Sequence, residues 1–414
     1  MHTYLLSIGK AYLRSYQGLS PSCWSGIFLS LIESTLAGTF YFLSVYFVNE
    51  LHFSVAQAGM LISCFGMGAI IGGFASGKLS DRFSPAIVSA SSLFLQGLIY
   101  LAFTRFTNAI FLAGNIFILG AATYGFITAN HVWVLGLCGE REEQKLKALN
   151  LLSTASNLGL GISALLISVF YYYGFQHLFM LIGLLFLLLA CWIMTLDKSN
   201  PVVLASSTTA AVTGSLQKKL IVGLTLIWVF LIGGIVSQLS STYSIYIQAA
   251  FPSLGMNAIS ILFTINSFLV VLFATPLGDF FGKYNKILMT GVGGFGIGFG
   301  MCMLSFSYTF SLAIAACILY TVGEIIFFCM VQFVCYLHGA EDKKGESLGL
   351  YRMVYAASRV AGPSAGGLIY NHFGGNMVWY VSGILGGLCL IICYYFYLLE
   401  RKKQAGRRIM DKAA

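Results

Sequence analysis

Four ionisable side chains sit where the chain is otherwise apolar for twenty residues at a time: Glu33, Glu324, Arg352 and Arg359. A charged group at the centre of a bilayer-spanning helix costs about 2.5–3.5 kcal/mol, so each of the four needs a chemical reason. A carboxyl group shielded from water can take up and release a proton as its surroundings change. Glu33 has nothing basic near it in its own apolar run and is the first choice for such a proton site. The plainer reading is a carboxyl that hydrogen-bonds a neighbouring helix and never titrates. Glu324 is accompanied by Arg359 at similar depth on the next apolar run. A structural ion pair and a proton-handling or ligand role therefore both stand, and they are compatible if the pair breaks. Arg352 and Arg359 are seven residues apart and project from nearly the same helix face, a possible two-step path for an anion. Arg352, near the start of its run, can snorkel to the surface, whereas Arg359 is too deep to do so.

The elements that must position these groups follow from composition. Hydrophobic residues make up 58% of the 414, charged residues 9%, and mean hydropathy is +0.85, which places the chain among integral membrane proteins. Apolar stretches long enough to cross the roughly 30 Å hydrocarbon core as helices recur along its whole length. They are longer than barrel strands and apolar all round, which excludes a transmembrane barrel. Twelve transmembrane helices are expected, in an all-α integral membrane fold of two pseudo-symmetric six-helix bundles. The first is read as a retained helix, because it is too long for a signal-peptide core and no small-residue cleavage site follows. The expected organisation is an N-terminal segment 1–21, a first bundle 22–196, a linker 197–219, a second bundle 220–399 and a basic tail 400–414.

Of the 23 Lys and Arg residues only Arg105 falls in a loop on the side opposite the rest, with Arg352 and Arg359 inside a helix. Both termini are therefore expected to face the cytoplasm. The net charge of +9 reports this topology and contact with anionic lipid, and no nucleic-acid partner is needed to explain it. The ten cysteines, nearly all within apolar runs, show no CxxC-type spacing and read as small buried hydrophobes. No metal, cofactor or enzymatic reaction is expected.

The two halves are related in sequence. An offset of 198 pairs Leu79-Ser80-Asp81 with Leu277-Gly278-Asp279 and Thr123-Tyr124-Gly125 with Thr321-Val322-Gly323. An offset of 201 then pairs Gly161 with Gly362 and Gly174 with Gly375. Parallel six-helix repeats about an axis along the membrane normal are an alternating-access architecture. The glycines of the ninth run, from Gly291 to Gly300, fit close helix packing and do not resemble a phosphate loop.

Between the second and third runs lies the polar island Gly77-Lys78-Leu79-Ser80-Asp81-Arg82-Phe83. It resembles the loop signature G-x-L-x-D-R-x-G-R-K of the major facilitator superfamily, and Gly362-Pro363-Ser364-Ala365-Gly366-Gly367 resembles the GPxxGG stretch of that family's helix 11. Phe83-Ser84-Pro85-Ala86 departs from the pattern, lacking the trailing Gly and basic pair. The resemblance covers essentially the whole chain. It implies a conformational latch formed by Gly77, Asp81 and Arg82, with Asp279 as the partial copy, in which Asp81 meets the start of helix 11 at Ser347-Leu348-Gly349-Leu350. An anion there is favoured by free N–H groups and the helix macrodipole.

The resemblance also implies that helices 1, 4, 7 and 10 surround a central cavity. Glu33 and Glu324 then become proton-coupling residues, with Arg359, Tyr41, Tyr124, Gln238, Tyr243 and Gln332 as candidate cavity residues. Asn130, His131, Asn157 and Asn266 read as interhelical hydrogen-bonding groups, each worth about 0.6 kcal/mol. An acid in helix 1 and Gly-Glu in helix 10 are similar to the drug:proton antiporter branch, although the Gly-Pro pair usual in helix 5 of that branch is replaced by Asn157-Leu158-Gly159-Leu160-Gly161. The expected function is secondary active transport by alternating access, as proton-coupled efflux of small amphipathic molecules. The alternatives are proton-coupled import of a nutrient or metabolite, and a non-transporting membrane sensor on the same scaffold. Expected partners are a small-molecule substrate, protons and the lipid bilayer, with the protein a monomer in a bacterial inner membrane.

Overall fold

The computed structural model describes residues 19–138, 142–195, 216–338 and 344–413, and among them every regular element is helical. These residues form twelve long helices. The first, α1, runs Pro21–Ala37, passes through a 3-10 stretch at Gly38–Phe42, and resumes as Leu43–Asn49. It is followed by α2 (Val55–Ser80), α3 (Pro85–Phe103), α4 (Ala109–Leu137), α5 (Glu142–Phe170) and α6 (Phe175–Thr195). In the second half, α7 is likewise broken, running Leu216–Val236, a 3-10 stretch at Ser237–Ser240, and Thr242–Ala250. The remainder are α8 (Met256–Phe281), α9 (Lys286–Leu304), α10 (Phe310–His338), α11 (Lys344–Phe373) and α12 (Gly375–Ala413).

Helix starts follow local chemistry. Ser20 caps α1 by accepting from the Cys23 N–H, and Pro21 occupies the first helical position, where its missing N–H is no loss. Asn108 and Asn285 cap α4 and α9 in the same way. Eleven of the described helices are long and apolar enough to span a membrane. The exception, α11, carries Arg352 and Arg359 among many Ala, Gly and Ser residues, so its composition is too polar for that test. At 30 residues it still extends about 45 Å, enough to cross.

The chain divides into two compact units, one of residues 1–40 and 67–205 and the other of 41–66 and 206–414. Within the first, α3 packs on α4 and α6, and α1 packs on α5 and α4. Within the second, α9 packs on α10 and α12, and α7 packs on α11 and α10. The same contact pattern recurs at matching positions, as the repeat in the sequence requires. The second unit also takes in the far half of α1 and the near half of α2, where Gly59 lies against the Pro363 carbonyl and Ser63 shares a 2.7 Å hydroxyl contact with Ser364.

The glycines of α9 form two packing stripes. Gly293, Gly296 and Gly300 meet the backbone of α10 at Phe327, Gly323 and Tyr320, while Gly291, Gly294 and Gly298 meet α12 near Cys389 and Gly386. Left-handed glycines end α5 and α11 at equivalent turns, Gly174 (φ 88°) and Gly374 (φ 84°). By conformation Gly174 thus corresponds to Gly374, one residue short of the pairing with Gly375 that the sequence offset suggests.

Two further expectations differ in detail. The basic tail expected at 400–414 continues α12 as helix to Ala413. Gly77, placed by the sequence in the polar island between two runs, is helical, since α2 continues to Ser80 and the chain reverses through Asp81–Ser84. A Cβ at Gly77 would have room, its nearest neighbour being Thr128 Cγ2 at 3.9 Å. Most of the expected linker, and the N-terminal segment up to residue 18, lie outside the described residues.

Candidate functional site

Each unit holds one intramembrane acid in its own polar surroundings. In the first unit Glu33, 1% exposed, stands on α1 one turn before the break at Gly38. Ser34 Oγ donates to Glu33 Oε2 at 3.4 Å, and the carboxamide of Gln96 on α3 lies beside it. Tyr100, one turn further along α3, is close enough to interact electrostatically with the carboxyl. Thr123 on α4 donates to Gln96 Oε1 at 3.3 Å. Three buried polar atoms of this cluster, Glu33 Oε1, Gln96 Nε2 and the Tyr100 hydroxyl, have no hydrogen-bond partner among the described residues. Buried orphan groups are uncommon in folded proteins. None of these neighbours is a cation.

The cluster is held by close helix packing. Asn130 Nδ2 donates to the Gly26 carbonyl at 3.0 Å, tying α4 to α1. Ser30 and Ser156 hydroxyls meet at 3.0 Å, and Gly159 sits against the Leu31 carbonyl, tying α5 to α1. Asn130 thus acts as the expected interhelical fastening. Tyr124, half-buried beside Thr123, faces Gly73 of α2 with its Cβ.

In the second unit Glu324 on α10 is partly exposed and accepts from Asn266 Nδ2 of α8 at 3.3 Å. Asn266 Nδ2 also reaches Thr321 Oγ1 at 2.9 Å, and that hydroxyl donates to the Cys317 carbonyl at 2.7 Å. The donor that reaches Glu324 is thus a neutral carboxamide. Tyr243 is fully buried, its hydroxyl 3.1 Å from that of Tyr320, with its ring edge-on to Trp379. Tyr41 lies in the break of α1, where its carbonyl accepts from Ser244 and its ring tilts against Phe263.

Gln238 occupies the break of α7 and is fully engaged. Its Nε2 donates to the carbonyls of Gly362 (2.7 Å) and Gly234 (3.0 Å), and its Oε1 accepts from Thr242 (2.9 Å) and Ser241 (3.2 Å). It also lines a cavity of about 160 Å³ between α7, α11 and α12 whose other walls are largely apolar. Arg359 is half-buried, its carbonyl against Gly66, while Arg352 and Gln332 are exposed. Asp81 and Arg82 are exposed in the turn after α2, and Lys78 lies over the Phe74 ring at 4.5 Å. Asp279 falls within α8, with its side chain outside the described residues.

Reading the sequence alone misses Gln96, Tyr100, Tyr320 and Cys317. Gln96 carries a readable signal, being a lone carboxamide in an apolar run. Thr123 and Thr321 stand out in the sequence only as markers of the repeat, yet each hydrogen-bonds into the acid centre of its own unit.

Twelve helices in two repeated bundles, each with an acid inside the membrane span and a broken first helix, define a helical membrane carrier. The sequence profile of the Major Facilitator Superfamily matches residues 23–363, and the chain belongs to that family. It is a multi-pass membrane transporter of this type. Among curated relatives it is similar to the MFS-type transporters YqjV and YttB of Bacillus subtilis (strain 168). YqjV is 22% identical over 92% of this chain and 93% of the relative, and YttB is 25% identical over 80% and 83%. Among solved structures it is similar in fold to the nucleoside transporter NupG, with a TM-score of 0.75 and 15% identity over 92% of this chain and 99% of that one. A POT family transporter in complex with a thioalcohol-conjugated peptide gives a TM-score of 0.71 at 14% identity, over 92% and 96%.

Proposed function

We propose that the protein is a proton-coupled carrier that exports small amphipathic molecules by alternating access, with Glu33 as its proton site. The observation that carries this reading is a fully buried carboxyl whose neighbours can serve either protonation state. Ionised, Glu33 can accept from Gln96 Nε2 and from the Tyr100 hydroxyl. Protonated, it can donate to the Gln96 carbonyl oxygen or the Tyr100 oxygen. Small side-chain rotations exchange these arrangements, so proton uptake need not leave a buried charge unpaired.

Glu324 is assigned to the same coupling, or to an ion pair with Arg359 that opens during the cycle. Tyr41, Tyr124, Tyr243, Gln332 and Arg359 are proposed to line the substrate path, and Gln238 to hold the break of α7. Gly77, Asp81 and Arg82, with Asp279, are proposed as the latch. The distribution of basic residues supports cytoplasmic termini, and the Bacillus relatives support a bacterial cell membrane. The efflux reading rests on aromatic, weakly hydrogen-bonding surroundings with a helix 1 acid, as in the drug:proton branch.

Substrate-driven proton movement in proteoliposomes tests this reading, with a lipophilic cationic dye as the substrate. Glu33→Gln should abolish coupled proton flux, and Glu324→Gln should reduce it. Unaltered flux in both variants would overturn the coupling assignment. Dye accumulation with the proton gradient, rather than expulsion against it, would establish uptake instead.

A further inference from the structure

We propose that Cys23 and Cys138 form an oxidisable dithiol that closes to a disulfide stapling α1 to α4. The two residues are 115 positions apart and show no motif, yet their sulfurs lie 3.4 Å from each other and both are buried. The helices approach closely at this level. Gly26, one turn beyond Cys23, lies directly against the Val134 side chain, one turn before Cys138, and Asn130 anchors the Gly26 carbonyl. Closure to the S–S distance of about 2 Å therefore asks for a small side-chain rotation between two fastened backbones.

Cys23 lies in the first turn of α1, where Ser20 Oγ donates to its sulfur at 3.2 Å. Cys389 and Cys393, by contrast, are one turn apart on a single helix, a spacing that presents neighbouring side chains but not the opposed geometry a disulfide needs.

With a diazene oxidant such as diamide, the Cys23 thiolate adds to the N=N bond. The Cys138 sulfur then displaces the nitrogen, forming S–S as the S–N bond breaks. Both thiol protons and two electrons leave with the oxidant, which becomes a hydrazine. The link would hold the half of α1 that carries Glu33 against α4.

The test treats purified full-length protein with diamide, denatures it, alkylates it, and maps peptides by mass spectrometry without reductant. Alkylatable thiols should fall from ten to eight, and a peptide pair joined through Cys23 and Cys138 should appear and vanish with dithiothreitol. Cys23→Ser and Cys138→Ser should each abolish the bridge and leave the surviving sulfur alkylatable. Ten alkylated thiols after diamide, or bridges distributed among other cysteine pairs in comparable yield, would overturn the proposal. The wild-type measurement alone decides it if a variant fails to fold.

Discussion

Thr123 Oγ1 on α4 donates to Gln96 Oε1 on α3 at 3.3 Å, which turns the carboxamide so that its Nε2 is left without a partner in the pocket of Glu33. Orientation of an amide by a hydroxyl is the kind of support that sets which donor a neighbouring carboxyl meets. Thr123→Val keeps the shape and removes the donor. It should alter the pH profile of coupled flux while leaving the protein folded, whereas Gln96→Leu should remove the exchangeable partner and depress coupled flux more strongly. Proteoliposome flux measured across pH for both variants checks the order. A Thr123→Val profile superimposable on wild type would show that the hydroxyl does not orient Gln96.

Gln238 satisfies two donors and two acceptors where α7 loses its regular hydrogen bonding. Gln238→Leu would strand the Gly362 carbonyl and two hydroxyls, at about 1–3 kcal/mol for each buried group left unpaired. Apparent melting temperature in detergent should fall, by roughly 2–4 °C per kcal/mol for a unit of this size. A variant melting with wild type would show that the break needs no side-chain clasp.

Much of this architecture was legible in the sequence because bilayer crossing leaves few options. Uninterrupted apolar runs gave the helices, the 198-residue offset gave the two bundles, and Glu33 and Glu324 stood out by their cost in an apolar run. The breaks in α1 and α7 were not legible. Neither contains proline, and a short 3-10 stretch such as Gly38–Phe42 has the same composition as the helix around it. The partners of the acids were hidden for a different reason. Gln96 and Asn266 lie on other helices, and which helix face meets which depends on packing that a single apolar run does not encode. The sulfur pair of Cys23 and Cys138 is illegible for the same reason.

A Cβ at Gly59 on α2 would fall against the Pro363 carbonyl and 3.3 Å from the Gly367 Cα, and Ser63 one turn on is 5% exposed. Gly59→Val forces these two helices apart, and overpacking of this kind costs typically about 1–3 kcal/mol. The prediction is that Ser63→Cys reacts slowly with a membrane-impermeant maleimide in the parent and markedly faster when combined with Gly59→Val. Equal labelling rates in both would show that the small residues here are not what closes this contact.

Gly323 and Gly114 make a paired test of helix packing in α10 and α4. A Cβ at Gly323 would fall 2.5 Å from the Ile297 nitrogen and 2.7 Å from the Gly296 carbonyl carbon, both backbone atoms that cannot rotate aside. Gly323→Ala should therefore destabilise the second unit by about 1–3 kcal/mol despite the better helix propensity of alanine. A Cβ at Gly114 meets nothing within 4 Å, so Gly114→Ala should stabilise by about 0.5–1 kcal/mol through propensity alone. Thermal denaturation of the two variants beside wild type should move in opposite directions. A fall in melting temperature for Gly114→Ala would mean that this face of α4 is covered in the folded protein, and an unchanged Gly323→Ala would mean that α9 and α10 pack with slack.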